Sequence, residues 1–278
     1  MTPNEYCQKK AASSGSSFYY SFLFLPAERR RAITALYAFC REVDDVVDDE
    51  GMDPQVAAAK LAWWRTEVAN LFAGRAQHPV MRALEPYRDK FGLSAARLNE
   101  IIDGMEMDLR QTRYLDWAGL EAYCYRVASV VGLLAAGIFG YRDERTLEYA
   151  RNLGIAFQLT NIIRDVGEDA RKNRVYLPVE DLQRFGVPAA DILRAKESPA
   201  FRTLMEFEAE RARGYYQSAM STLPAADRRA QRPGLIMAAI YRTLLEEIQR
   251  EGFHVLTQRT SLTPLRKFWI AWRTWVTA

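Results

Sequence analysis

Apolar residues recur at intervals of three and four over most of the chain, which is the spacing of one face of an α-helix. No convincing series of alternating apolar and polar residues predicts β-strands. Proline and glycine residues mark the points where helices begin and end. The pattern predicts helices from Pro26 to a break at 51–54, over 55–72, 78–91, 94–109, 120–139 and 145–169, in two short segments after Pro178 marked by Gly186 and Pro188, over 199–221 and 234–252, and from Pro264 onward.

No linker and no repeat of fixed length divides these helices. We therefore expect a single all-α domain over residues 1–278. The longest apolar stretch, residues 127–141, is shorter than the ~20 residues that span a bilayer. It is interpreted as a buried core helix.

The composition is that of a globular protein with a sizeable core: 278 residues, 49% hydrophobic and 26% charged. The 38 basic and 35 acidic residues leave a net charge of +3, which argues against a dedicated nucleic-acid-binding protein. Three widely spaced cysteines and two histidines argue against a disulfide scaffold, a zinc site and histidine-based chemistry. The cysteines favour the reducing cytoplasm, and residues 1–8 lack the apolar core of a signal peptide.

A stripe of polar residues lies on the first long predicted helix. Spacings of i, i+4, i+7 and i+11 place four side chains on one face, namely Tyr37, Arg41, Asp44 and Asp48. Apolar side chains that can pack lie on the opposite side, namely Leu36, Cys40, Val43 and Val47. Asp45 and Asp49 have the same i,i+4 spacing on an adjacent face, so spacing alone leaves two registers open.

A second polar stripe lies more than a hundred residues later, on a helix that is otherwise apolar. Spacings of i, i+3, i+7 and i+11 place its members on one face, namely Gln158, Asn161, Asp165 and Asp169. Polar side chains on a buried helix need partners, because burial without a hydrogen bond or a counter-charge costs free energy.

The two D-x-x-x-D pairs point to a site for divalent cations. Like charges at i,i+4 destabilise a helix by roughly 0.2–0.5 kcal/mol per pair, and a cation offsets this repulsion. Carboxylate and amide oxygens suit Mg²⁺, which commonly bridges carboxylates to phosphates. A single pair of this kind is more often a solvated charged face. Two pairs, each extended by polar residues in register, favour two facing helices that hold Mg²⁺ and, through it, a diphosphate.

Several segments resemble the squalene and phytoene synthases, the head-to-head type of trans-isoprenyl diphosphate synthase. The resemblance covers nearly the whole chain, and its most specific segments are residues 161–169 and 174–178. Residues 16–20, 37–48 and 123–128 also match. The resemblance implies an all-α isoprenoid-synthase bundle with a central active-site cavity.

The resemblance also implies roles for individual residues. The implied metal ligands are Asp44, Asp48, Asn161, Asp165 and Asp169. The implied catalytic residues are the same four aspartates with Tyr123 and Arg41. The implied substrate-binding residues are Ser17, Phe18, Tyr37, Arg41, Val127, Gln158, Asn161, Arg164, Arg171, Arg174, Tyr241 and Arg259. One departure from the family pattern is Ser14, which stands where some relatives carry a histidine.

Within the family, residues 16–26 and 102–108 are most similar to the bacterial hopanoid-pathway enzymes that make presqualene diphosphate from two farnesyl diphosphates. The expected reaction is this 1'-1 condensation with release of diphosphate, and three Mg²⁺ ions are the family's usual complement. NADPH is not expected, because no G-x-G-x-x-G motif follows a predicted strand. Alternatives are phytoene synthesis from two geranylgeranyl diphosphates, complete NADPH-dependent squalene synthesis, a terpene cyclase and a non-catalytic paralogue on the same fold.

Basic and aromatic residues alternate over 265–275, a composition that suits a membrane interface. Peripheral contact of this last helix with the inner face of the membrane and packing of the helix on the bundle are both open interpretations. The expected partner is farnesyl diphosphate, with no nucleic acid, and the expected location is the cytoplasm.

Overall fold

The computed structural model describes residues 1–13, 18–49 and 52–278. Within these ranges the chain forms fourteen α-helices and no β-strand, which confirms the predicted all-α fold. The helices are α1 Pro3–Ser13, α2 Phe18–Phe22, α3 Ala27–Asp48, α4 Pro54–Phe72, α5 Pro79–Leu84, α6 Ala95–Arg110, α7 Trp117–Cys124, α8 Val130–Phe139, α9 Arg145–Arg171, α10 Val179–Arg184, α11 Ala189–Leu193, α12 Pro199–Thr222, α13 Arg232–Arg250 and α14 Pro264–Thr277.

Two regions differ from the predicted helices for local reasons. The pattern does not predict α1, because only Cys7 and Ala11 of that helix are buried and too few apolar positions mark its inner face. The helix predicted over 78–91 is shorter: α5 ends at Leu84 and continues as a 3₁₀ turn, Glu85–Tyr87. Pro86 lies in that turn and has no N–H group with which to continue an α-helical ladder.

The helix predicted over 120–139 begins earlier, at Trp117, and is interrupted by a π-helical turn, Tyr125–Ser129, between α7 and α8. Two glycines allow neighbouring helices to approach this turn closely. A β-carbon on Gly104 of α6 would lie 2.7 Å from Val127, and one on Gly154 of α9 would lie 2.5 Å from the Cα of Ser129. The π turn is therefore wedged between α6 and α9.

Helix α9 runs through the middle of the molecule, where it packs against α8, α12 and α13. Its buried side chains are mostly apolar, from Tyr149 to Val166. On the other side of the bundle, α3 packs against α1, α4, α5 and α6. An apolar cavity lies between α3, α8, α9 and α13, so both predicted aspartate helices border it.

The stretch Trp117–Phe139 is, by length and composition alone, long and apolar enough to cross a membrane. Half of its most apolar window is buried inside the protein, and Val127, Val131 and Ala135 line the cavity. These contacts fit the interpretation of a core helix.

Candidate active site

The cavity has a volume of about 420 Å³ and is lined mainly by apolar side chains. Along α3, Asp44 and Ile33 both line it, and their separation of eleven positions corresponds to about 16 Å of helix. Polar side chains are concentrated at the aspartate end, where Gln158 and Asn161 of α9 also face inward. The cavity is therefore a long apolar pocket with a polar mouth.

The structure separates the two registers that spacing leaves open on α3. Asp44 lines the cavity. Asp45 faces the N-terminal helix, where Lys10 lies 2.7 Å from its carboxylate, and Asp49 lies beyond the last helical residue. The carboxylate of Asp48 is near enough to Asp44 to perturb it, so Asp44 and Asp48 are the pair on the cavity side.

Burial raises the pKa of Asp44 to about 7, and the neighbouring carboxylate of Asp48 adds to this effect. Arg41 donates hydrogen bonds to Asp44 and Asp45, and it opposes the shift without cancelling it. The α3 pair is therefore a concentration of negative charge that lacks full compensation.

On α9, basic side chains surround the first aspartate. Arg164 and Arg259 both donate to the carboxylate of Asp165, with Arg259 Nε at 2.9 Å. Burial favours a higher pKa for Asp165, but the hydrogen bonds from these two arginines outweigh it and lower the pKa. Asp169 differs, because burial and the charge of Asp165 raise its pKa to about 7.

A close contact with Gly167 brings Arg259 to this site. The N–H of Gly167 donates to the carbonyl oxygen of Val255 at 3.1 Å. A β-carbon at this position would lie 2.3 Å from the carbonyl oxygen of Leu256. Only a glycine between the two aspartates of α9 lets the 255–256 loop come this close, and the residues after that loop then reach the cavity mouth.

The loop after α9 links the two aspartate helices. Arg174 donates to the Asp48 carboxylate at 3.0 Å and to the Val47 carbonyl at 2.9 Å. Asn173 adopts a left-handed conformation with φ of 57°, and Arg113 donates to its carbonyl at 2.7 Å. This turn directs Arg174 back over the mouth, whereas Arg171 is exposed and does not line the cavity.

The donor set at the mouth fits Mg²⁺. Asn161 Oδ1 is buried and has no hydrogen-bond partner in the described part of the chain. The carboxylates of Asp44 and Asp169 lie in surroundings that disfavour their negative charge. Among the described residues no three acidic, histidine or cysteine side chains form a ready-made metal cluster. Mg²⁺ typically binds one or two carboxylates together with phosphate oxygens and water, so substrate would complete such a site.

Lys267 is a mouth residue that the sequence analysis does not identify. It lies on the inner side of α14 and lines the cavity. Burial lowers its pKa, and repulsion from Arg164 and Arg259 lowers it further. Lys267 therefore adds a third positive charge at an opening where Arg164 and Arg259 pair with Asp165, and several cations at one opening suit a ligand with several negative charges.

The buried carboxylate of Asp108, which accepts hydrogen bonds from two tyrosines, is also absent from the predicted site. Tyr123 and Tyr176 donate to Asp108 at 3.0 Å and 2.8 Å, and their rings stack with centroids 5.2 Å apart. Burial raises the pKa of Asp108 to about 6. The signal in the sequence is that Asp108 continues the apolar face of Ile101 and Met105 at i+7 and i+3.

Aromatic rings line the cavity below the polar mouth. The ring of Phe18 lies 5.5 Å from that of Tyr37 and 6.5 Å from that of Phe157. Phe157 in turn lies 5.0 Å from Tyr241. Phe157 is absent from the predicted site, because on α9 it reads as one more apolar core position.

The structure places most of the predicted site residues around one cavity. The predicted residues that line it directly are Phe18, Tyr37, Arg41, Asp44, Tyr123, Val127, Gln158, Asn161, Arg164, Tyr241 and Arg259. Four more surround its mouth, namely Asp48, Asp165, Asp169 and Arg174. Arg171 lies apart from them, and Ser17 lies outside the described residues.

Comparisons with known proteins match almost the full length of the chain. The model of the squalene/phytoene synthase family matches residues 11–266. A phytoene synthase of Arthrospira platensis is 35% identical over 276 residues, which cover 95% of this chain and 89% of that protein. A 15-cis-phytoene synthase of Synechocystis is 35% identical over 286 residues, which cover 96% of this chain and 84% of that protein.

Solved structures resemble the fold equally completely. A dehydrosqualene synthase in complex with a ligand superposes with a TM-score of 0.87 at 28% identity, over 99% of this chain and 96% of that chain. The squalene synthase HpnC from Alicyclobacillus acidocaldarius superposes with a TM-score of 0.80 at 29% identity, over 90% of this chain and 94% of that chain.

Proposed function

We propose, since the chain belongs to the squalene/phytoene synthase family, that it condenses two farnesyl diphosphates head to head to presqualene diphosphate and releases diphosphate. One observation carries the proposal: two aspartate helices and a set of basic side chains meet at the mouth of a long apolar cavity. Such a mouth suits diphosphate groups, and such a cavity suits isoprenyl chains.

Arginine side chains would bind the diphosphates. The planar guanidinium group of arginine matches two phosphate oxygens at once. Arg164, Arg174 and Arg259 now pair with the motif aspartates, and a diphosphate that enters the mouth would compete for the same hydrogen bonds. Asp44, Asp48, Asn161, Asp165 and Asp169 would hold Mg²⁺, which when bound neutralises the charge of the departing diphosphate.

The aromatic residues would protect the allylic cation that remains after the carbon–oxygen bond breaks. The faces of aromatic rings attract cations, and Phe18, Tyr37 and Phe157 line the cavity directly below the mouth. The buried surface excludes water, which would otherwise quench the cation. The double bond of the second farnesyl chain then attacks carbon 1, and loss of one proton closes the cyclopropane ring.

The proton leaves near the tyrosine pair. Tyr123 lines the cavity, and its hydroxyl is held by Asp108 at 3.0 Å. The released diphosphate is the base that takes the proton in this proposal, and the Tyr123 hydroxyl positions that transfer. As proposed, the reaction ends at presqualene diphosphate and consumes no reductant.

The far end of the cavity bears on chain length. Phe22, Ile33 and Phe139 line it, and we infer that these bulky side chains limit the substrate to fifteen carbons. Phytoene synthesis is the second candidate, because the cyanobacterial relatives described above are named phytoene synthases.

Product analysis tests the proposal. Purified protein with Mg²⁺ is given farnesyl diphosphate or geranylgeranyl diphosphate, each with and without NADPH. A cyclopropyl C30 diphosphate, unchanged by NADPH, is the expected product. Squalene that forms only with NADPH would identify a complete squalene synthase. Phytoene from the C20 substrate alone would identify a phytoene synthase, and no product from either substrate would leave the non-catalytic alternative.

A variant at the far end of the cavity tests the limit on the length of the isoprenyl chain. Phe139→Ala removes a large side chain from the far end, so we expect it to gain turnover of geranylgeranyl diphosphate while retaining the C15 reaction. Leu193→Ala, on an exposed side chain elsewhere, is the matched control. If Phe139→Ala keeps the wild-type preference for farnesyl diphosphate, the inference that the far end of the cavity limits the substrate is refuted.

A further inference from the structure

Helix α14 is amphipathic, but unlike most helices at a protein surface it presents an apolar face to solvent. Of the eleven large hydrophobic side chains that are exposed in the described part of the chain, five lie on this one helix. They are Leu265, Phe268, Trp269, Trp272 and Val276. Their spacing of i, i+3, i+4, i+7 and i+11 puts all five on one helical face, which we call the α14 outer face.

The inner side of α14 is packed and accounts for the stability of the helix. Ala271 is fully buried, and Trp275 stacks on Phe24 with ring centroids 5.1 Å apart. The guanidinium of Arg232 lies over the Trp275 ring, 4.8 Å from its centroid. The inner side therefore holds the helix in place on the bundle, and the α14 outer face leaves a large apolar area exposed.

The charge around this face is basic. Residues 252–278 contain four arginine or lysine residues and no acidic residue, although two of the four, Arg259 and Lys267, line the cavity. Arg266 is paired with Glu247 at 2.8 Å, but Arg273 is exposed beside Trp272 and forms no ion pair with any described residue. Tryptophan side chains with adjacent arginine are typical of helices that lie in the headgroup region of a bilayer.

We propose that the α14 outer face docks this protein on a bilayer that contains anionic lipids. The helix lies in the plane of the interface, with Trp269 and Trp272, whose rings are 5.2 Å apart, inserted below the headgroups. A second copy of the chain is the other possible occupant. A stable dimer buries about 20–30 residues on each side, and one helical face with five exposed side chains is too narrow for that.

Docking would place the wall of the cavity against the lipid. Helix α14 packs directly on α2 and α13, and both of those helices line the cavity. Leu262, just before α14, also lines it. This second step rests on the proposed function: a C30 product with a long hydrocarbon part would pass from the cavity to the adjacent bilayer without crossing water.

Vesicle flotation tests the docking. The full chain is mixed with vesicles of phosphatidylcholine alone or with added phosphatidylglycerol. We expect binding to the anionic vesicles, a blue shift of tryptophan emission, and partial release by salt, because screening weakens the attraction to lipid charge. The triple variant Phe268→Ser, Trp269→Ser, Trp272→Ser should lower the bound fraction by about tenfold, because it removes most of the buried apolar area.

A matched control removes equally exposed apolar side chains elsewhere, with Val56→Ser, Trp63→Ser and Leu115→Ser. It should float like the wild type. Equal flotation of the α14 variant and the wild type, or no flotation of the wild type, would overturn the proposal. A change from dimer to monomer in the α14 variant without vesicle binding would identify a second copy as the occupant instead.

Activity separates the two proposals. In detergent, the α14 triple variant should keep wild-type turnover of farnesyl diphosphate, because none of its three positions lines the cavity. On vesicles, its product should stay with the protein rather than appear in the lipid. If the wild type floats but converts neither diphosphate, the proposed function fails and the docking stands.

Discussion

The aspartate pairs of α3 and α9 share one spacing, but the first aspartates of the two pairs, Asp44 and Asp165, lie in different electrostatic surroundings. On α9, Arg164 and Arg259 both donate to Asp165 and outweigh its burial, so its pKa is lowered. On α3, burial and the neighbouring Asp48 raise the pKa of Asp44 to about 7 in spite of Arg41. The protein itself therefore compensates the charge of Asp165, whereas the charge of Asp44, like that of Asp169 on α9, is left without full compensation.

The largest expected effect tests whether the aspartates of both helices are needed for turnover. Asp44→Ala and Asp165→Ala should each lower turnover by about 10³-fold or more, because each removes a carboxylate that stabilises the departing diphosphate through a cation. Circular dichroism should show an intact helical fold. Asp45→Ala is the matched control on α3, and it should cost less than tenfold. Loss of turnover in Asp45→Ala with retention in Asp44→Ala would mean that the register is wrong.

Arg174 follows α9 in the chain but contacts the end of α3. Its replacement is expected to have the second-largest effect. Arg174→Gln deletes the contacts with Asp48 and Val47, so we expect kcat/KM to fall by about 10²-fold, as for loss of one charged contact to a developing anion. Arg171→Gln makes the same change three residues away on an exposed side chain. Its effect should be at least tenfold smaller, and equal effects in steady-state kinetics would contradict the placement of the loop.

The tyrosine pair next to the α9 loop should give a smaller effect. Tyr176→Phe removes one of the two hydroxyls that hold Asp108, so Tyr123 loses a fixed partner but stays in the cavity. We expect kcat to fall by about fivefold with KM unchanged, since one hydrogen bond of this kind contributes roughly 1 kcal/mol. A rise in KM with kcat unchanged would assign Tyr176 to substrate binding instead.

The smallest expected effect is on the free energy of unfolding. It tests whether the charges of Asp165 and Asp44 are compensated differently. At pH 8 with EDTA, Asp165→Asn should lower the free energy of unfolding by about 1–2 kcal/mol, because it leaves Arg164 without its carboxylate and Arg259 with Glu168 alone. Asp44→Asn should leave stability unchanged or raise it. A folded-state pKa above the ordinary value means that the charged form, present at pH 8, destabilises the fold. Urea unfolding measures the stability of both variants. Equal losses of stability would show that the charges of Asp165 and Asp44 are compensated alike.

The helical fold and the two polar stripes could be predicted from the sequence, because helix periodicity is a local signal and each aspartate pair lies within a single helix. The cavity between the helices is implied only by the family resemblance. The register of α3 could not be decided by spacing, since Asp45 and Asp49 obey the same rule. It follows instead from tertiary contacts with Lys10 of α1, a helix too polar to be recognised.

Residues far apart in the chain are where sequence reasoning falls short. Arg171 and Arg174 are equivalent basic residues in the sequence, and only the left-handed turn at Asn173 separates their positions. Lys267 reads as part of a basic and aromatic tail, yet it lines the cavity. Asp108 is a single polar position on an apolar helical face, and its role depends on Tyr176, which lies 68 residues later. Each of these placements depends on how separate helices pack.

The π turn at Tyr125–Ser129 has a consequence for how this chain tolerates changes in length. A π turn absorbs one extra residue without rotating the helix that follows it. Deletion of a single residue there would restore a regular α-helix, and Tyr123 and Val131 would keep their orientation on either side. Deletion elsewhere in the same helix would rotate everything downstream by about 100° and turn the wall of the cavity away from its substrate. Natural insertions and deletions in this wall should therefore cluster at the π turn.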